Sequence, residues 1–189
     1  MRSILVAVSF FVTLLGCAHG PQTRTAEPMP PSGQSARALL LEKNEGERRQ
    51  WRYPGFPAHF ILKVDPRNGR SSHLVLGTEA ISPGEKIEMH EHPRADEILF
   101  LQSGQAKVSL GGVVREVHSG ATVFIPANTW VSLANNGKET IDMIFIFSAP
   151  GFEDFMRAES APAGQKIVLV TPAEDASLLK KYKDVVIYK

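Results

Sequence analysis

Apolar positions in this chain come in short runs broken by glycine, proline and asparagine. His59–Val64 is followed by the turn sequence Asp-Pro-Arg-Asn-Gly-Arg at Asp65–Arg70. Ser72–Ile81 ends at Ser82-Pro83-Gly84, Lys86–His90 ends at Pro93, and Glu97–Gln102 ends at Ser103-Gly104. Gln105–Leu110 and Val113–Val117 flank Gly111-Gly112, Thr122–Ile125 stops at Pro126, and Trp130–Ala134 and Thr140–Phe147 flank Asn136-Gly137. Asn-Gly and Gly-Gly between apolar runs are strong hairpin signals, because both tolerate the positive φ of a tight turn. Many short strands at this spacing predict an antiparallel sandwich or barrel.

Helical patterns are few. Ala36–Trp51 has room for a helical turn or more, and Gly151–Ser160 for a short helix after the last strand. The firmer pattern covers about 172–182. Thr171 stands as N-cap, Pro172 at the first helical position, and Glu174 where it closes a capping box. Leu178, Leu179 and Tyr182 form its apolar stripe, which should pack on the barrel.

The N-terminal stretch reads differently. Ile4–Gly16 is an apolar run of 13 residues behind Met1 and Arg2, too short to span a bilayer and right for a signal peptide over residues 1–16. It ends in Leu14-Leu15-Gly16-Cys17, which resembles the lipobox of bacterial lipoproteins. Cys17 is the chain's single cysteine, with no partner for an internal disulfide, and the resemblance implies that it carries the lipid. Ala18 after it implies the outer membrane if the cell is Gram-negative. Residues 17–37 are rich in proline, glycine and serine and lack periodicity, which predicts a flexible tether. The domain then runs over 38–189.

Charge narrows the partners. Lys and Arg number 21 against 20 Asp and Glu, and no basic block stands out. A nucleic-acid partner would need a basic footprint, so none is expected. Membrane contact is expected only through the N-terminal lipid. There is no phosphate loop, nucleophile elbow or dinucleotide fingerprint.

The chemistry concentrates in Met89–Glu97, Met-His-Glu-His-Pro-Arg-Ala-Asp-Glu. Residues two apart on a strand share a face, so His90 and His92 point together, and a regular strand would place Glu88 with them. Glu97 opens the next strand and can reach the same side if the two pair. Two imidazoles and a carboxylate suit a divalent transition metal such as iron, manganese, nickel, cobalt or zinc. Glu88 is then a candidate general base beside it. Trp130, Phe124 and Phe145 are the aromatic candidates for a ligand cavity.

The spacing of Gly84, His90, His92, Glu97 and Gly104 resembles the first motif of the cupin superfamily at every position. Gly120, Pro126 and Asn135 resemble the second, making a motif core over 84–135. The resemblance implies a single all-β cupin-type antiparallel barrel, a double-stranded β-helix or jelly roll, with short flanking helices. It also implies a homodimer. Two positions depart from the pattern. Asn128 replaces a glycine, and Asn tolerates a left-handed backbone. Val131 replaces the fourth metal ligand, a histidine. Two readings follow. In one, His90, His92 and Glu97 hold the metal, and the position beside Val131 is open for a small-molecule substrate, as in a dioxygenase or isomerase. In the other, the metal is lost, and Val131 joins Phe124 and Phe145 in the wall of a non-catalytic ligand-binding or sensory module.

Overall fold

The computed structural model describes residues 35–53 and 58–189. The signal peptide, Cys17 and nearly all of the tether lie outside the described residues.

Among the described residues, twelve strands and two short helices follow one another. They are β1 (Glu47–Trp51), β2 (His59–Val64), β3 (Val75–Ile81), β4 (Lys86–Glu91), β5 (Glu97–Ser103), β6 (Gln105–Leu110), β7 (Val113–His118), β8 (Thr122–Ile125), β9 (Val131–Ala134) and β10 (Ile141–Phe147), then α1 (Phe152–Ala158), β11 (Ser160–Pro162), α2 (Pro172–Lys181) and β12 (Ile187–Tyr188). Nine of these strands lie where the apolar runs predicted, from β2 to β10. The twelve strands form two antiparallel sheets, ordered β11-β1-β2-β3-β10-β5-β8 and β12-β4-β9-β6-β7. The inner faces share one core, with Phe60, Leu62, Leu101, Leu133, Met143 and Phe147 essentially inaccessible to water. Full burial of such a side chain stabilises the fold by roughly 1.5–3 kcal/mol.

The turn chemistry works as expected at two hairpins. Gly111 and Gly112, at φ 55° and 86°, join β6 to β7. The Asp65–Arg70 turn joins β2 to β3. Its Asp65 carboxylate accepts the backbone N–H groups of Arg67 at 2.8 Å and Asn68 at 2.5 Å. Asn136-Gly137 behaves otherwise. It is no hairpin, because β9 pairs with β4 and β6 while β10 pairs with β3 and β5. Here the chain changes sheets, and the fully buried Asn135 fixes the change. Its Nδ2 donates to the carbonyls of Ile81 and Glu139, each at 2.8 Å, and its Oδ1 accepts Gly137 N–H at 3.0 Å.

The helix expected within Ala36–Trp51 does not form. Residues 35–46 carry no helix, and Glu47–Trp51 is strand β1 between β2 and β11. Long-range ion pairing decides the outcome. Arg49 donates to Glu47 at 2.7 Å and to Ser160 Oγ at 2.6 Å. Arg157 of α1 donates to Glu47 at 2.8 Å and pairs with the fully buried Asp65. The α2 prediction holds with one change. Thr171 Oγ1 accepts Glu174 N–H at 3.2 Å, but the Glu174 carboxylate turns away to Arg52, at 2.9 and 3.1 Å. No residue of α2 is fully buried; Leu178, Leu179 and Tyr182 are half-buried.

Candidate metal centre

β4 carries His90, and His92 follows just past its end, but not in the regular phase. Its register with β9 shifts between Ile87 and His90. That irregularity reverses the faces. Glu88 lies outward, 63% exposed, with its carboxylate 2.9 Å from Lys86 Nζ. It does not join the histidines, and a role as general base beside them has no geometric support. His90 and His92 are buried, at 6% and 2% exposure. Beyond them the Pro93–Asp96 loop is clamped. Asp96 N–H donates to Ser148 Oγ at 2.9 Å, Ala127 N–H donates to Asp96 Oδ1 at 2.9 Å, and Asn128 N–H donates to the His92 carbonyl at 3.0 Å. Asn128 adopts φ 60°, the left-handed conformation its position requires. The clamp delivers Glu97, at the start of β5, to the same buried side.

Ligand-capable atoms of His90, His92 and Glu97 all lie within 4.8 Å of one another. The hydrogen bonding of the rings fixes what they offer. His90 Nδ1 is 2.8 Å from the Glu88 carbonyl, and His92 Nδ1 is 3.0 Å from the Val185 carbonyl. A carbonyl oxygen only accepts, so each Nδ1 carries the hydrogen, and in the neutral ring Nε2 is the atom with the lone pair. His92 Nε2 is buried and has no hydrogen-bond partner. Glu97 Oε2 lies 3.5 Å from it, longer than a charge-assisted hydrogen bond. Burial, and then the neighbouring His92, push His90 below the usual histidine range, which favours the neutral ring. Two imidazoles whose Nδ1 atoms are committed to carbonyls, beside a carboxylate, are a donor set that fits a divalent transition metal.

Apolar and aromatic groups close the surroundings. Phe147 and Phe152 meet the His92 ring edge-on, at 4.9 and 4.5 Å between centroids, and Tyr188 lies 5.6 Å from the His90 ring. Val131 pairs with His90 across β9 and β4 and is 1% exposed. Phe145 is buried on the inner face of β10, 5.7 Å from Phe147. Phe124 does not reach the interior. It is 54% exposed, because Val123 and Ile125 take the inward positions of β8. Trp130 lines a separate cavity of about 430 Å³ with Met89, Ser109 and Asn128, and no member of the histidine cluster borders it.

Two features went unread in the sequence. Glu79 lies on the inward phase of β3, with Val75, Gly77 and Ile81, and is 7% exposed. It accepts Trp51 Nε1–H at 2.8 Å. Burial pushes its carboxyl up to about 7; the Trp51 bond offsets part of the rise, and the charges of Glu97 and Glu85 add to it. A carboxylate on the inward phase of an alternating strand was the available signal. The second feature is the C-terminal run Val185–Tyr188, four β-branched or aromatic residues in a row.

Residues 77–147 match the family model of the cupin domain. The fold is that of a cupin. A predicted oxalate decarboxylase from Thermotoga maritima superposes with a TM-score of 0.52 at 14% identity, over 59% of this chain and 100% of that one. An RmlC-like cupin from Shewanella frigidimarina gives 0.50 at 17% identity, over 64% and 99%. Identities this low speak for the cupin fold alone. Among curated relatives, the uncharacterized protein YrkC of Bacillus subtilis is 25% identical over 84 residues, 41% of this chain and 45% of that protein. The chain spans about half the length of the curated relatives it matches.

Proposed function

We propose that this cupin binds one divalent transition metal through His90, His92 and Glu97 and acts on an oxygen-bearing small molecule, as an oxidoreductase or isomerase. The observation that supports this most is the orphaned Nε2 of His92, buried beside Glu97 while its Nδ1 is committed to a carbonyl. A buried polar nitrogen without a partner costs about 1–3 kcal/mol, which a ligand to that nitrogen would recover. When bound, the metal would supply Lewis-acid or oxygen-activating chemistry.

The chain's own residues do the rest. The two carbonyl bonds hold both rings in one tautomer. Glu97 contributes the negative charge. Val131, in place of a fourth ligand, leaves the position beside His90 to substrate or water. Glu79 is placed to hold a proton near neutral pH; with Oε1 on Trp51, that proton would sit on Oε2. In this reading the lipobox-like Cys17 anchors the domain at the bacterial cell envelope. A second reading, a ligand-binding module without metal, draws on Val131 itself, since an apolar side chain closes the position where the family places a ligand.

Elemental analysis of residues 37–189, purified without a polyhistidine tag, separates the two. Near-stoichiometric metal that disappears in the double substitution His90→Ala/His92→Ala supports the metalloprotein. A domain that is empty and takes up no added metal leaves the binding module.

A further inference from the structure

The segment after α2 packs directly on the two histidines. Val185 provides the carbonyl that accepts His92 Nδ1–H. Ile187 and Tyr188 pair antiparallel with Glu91 and His90, and Lys189 N–H donates to the Met89 carbonyl at 3.0 Å. Val186 is 1% exposed, and the Tyr188 ring lies over His90 at a tilt of 33°. None of Val185–Lys189 falls within the 77–147 cupin match.

The two imidazoles are therefore supported in different ways. His90 finds its acceptor two residues back on its own strand; His92 finds its acceptor 93 residues further along the chain. Remove the Val185 carbonyl and Nδ1 of His92 has no partner to hold its hydrogen. The ring is then free to switch tautomer and present Nδ1–H or Nε2–H to the site.

We infer that Val185–Tyr188 is a positioning element of the metal centre, one that locks His92 with Nε2 toward Glu97. Metal loading and docking of this segment then favour each other, since two events that stabilise the same arrangement are reciprocally linked. The inference rests on the metal-binding reading above.

Cobalt(II) alone is the probe. The full chain is compared with a chain ending at Asp184 and with the full-length Tyr188→Ala variant, and folding of each is checked by circular dichroism. Cobalt affinity is read from visible absorption, and backbone hydrogen exchange of 185–188 is followed with and without the ion. The expected result is a 10–100-fold weaker affinity on truncation, the range seen when a ligand loses its orienting partner, and a smaller loss in Tyr188→Ala. Exchange at 185–188 should slow when cobalt binds the full chain. Equal affinity in a folded truncated chain, or exchange at 185–188 unchanged by cobalt, overturns this inference and leaves the metal reading intact. Should the truncated chain not fold, the exchange measurement on the full chain decides alone. Failure of the full chain to bind cobalt at all removes the metal reading, and this inference with it.

Discussion

His90 and Val131 stand opposite each other in the ladder between β4 and β9, and both side chains are buried. The valine occupies the position where the cupin pattern places a histidine, the fourth ligand and a third imidazole beside His90 and His92. Val131→His should tighten cobalt(II) binding by about tenfold or more, with a cost of about 1–3 kcal/mol to the metal-free fold from overpacking. Competition titration against a chelator reads the first effect, and urea denaturation of the metal-free protein the second. Unchanged affinity in a folded variant would mean that the imidazole does not reach the site.

Glu88 offers the opposite test. Its carboxylate is on the outer face with Lys86. Glu88→Gln should leave metal content unchanged and stability within about 0.5 kcal/mol, as for an exposed ion pair. A large loss of metal on this substitution would return Glu88 to the site.

Glu79 predicts a pH dependence. Its folded pKa of about 7 lies above its ordinary 4.5, so the folded state holds the proton more tightly than the unfolded state. Stability from this group is therefore full below about pH 4.5 and falls as pH rises toward 7. One pKa unit is worth about 1.4 kcal/mol, so the loss amounts to about 3 kcal/mol. Glu79→Gln keeps an acceptor for Trp51 and removes the titration. The variant should match the parent near pH 4.5 and exceed its stability at pH 8. Burial pushes Glu159 up to about 7 as well, so the parent–variant difference, not the parent's slope, isolates Glu79. Parallel urea midpoints for the two proteins across this range would refute the assignment.

Arg157 ties α1 to the β2–β3 turn and to β1. Arg157→Leu strands the fully buried Asp65 carboxylate without its cation, although Glu47 keeps Arg49. The expected destabilisation is about 3–5 kcal/mol, measurable as a lower urea midpoint at pH 7. A change under 1 kcal/mol would show that the turn relaxes to admit water.

The strand meander was legible because its apolar runs and turn residues are local signals, and β2 to β10 depend on little else. What escaped was non-local. Glu47–Trp51 carries charges at three of its five positions and has no strand pattern of its own; pairing with Arg157 and Ser160, more than a hundred residues away, makes it β1. Asn136-Gly137 has hairpin composition, yet the side chain of Asn135 redirects the chain to the other sheet. The histidine cluster was legible from spacing, but the face of Glu88 was not, because a single irregularity in β4 inverts the alternation. In Thr122–Ile125 three consecutive apolar residues hid which of them faces outward, and Phe124 does.

The bond from His92 to Val185 also sets an order of events. A contact across 93 residues closes a large loop, and such closures come after local hairpins in folding. On a ribosome adding roughly 5–20 residues per second, His92 emerges about 5–20 seconds before its acceptor. The bond that orients His92 is thus made after the local hairpins of the barrel. If the site holds a metal, as proposed, the ions that surround the chain when Val185 docks, rather than those present when the histidines are made, are the ones that compete for it.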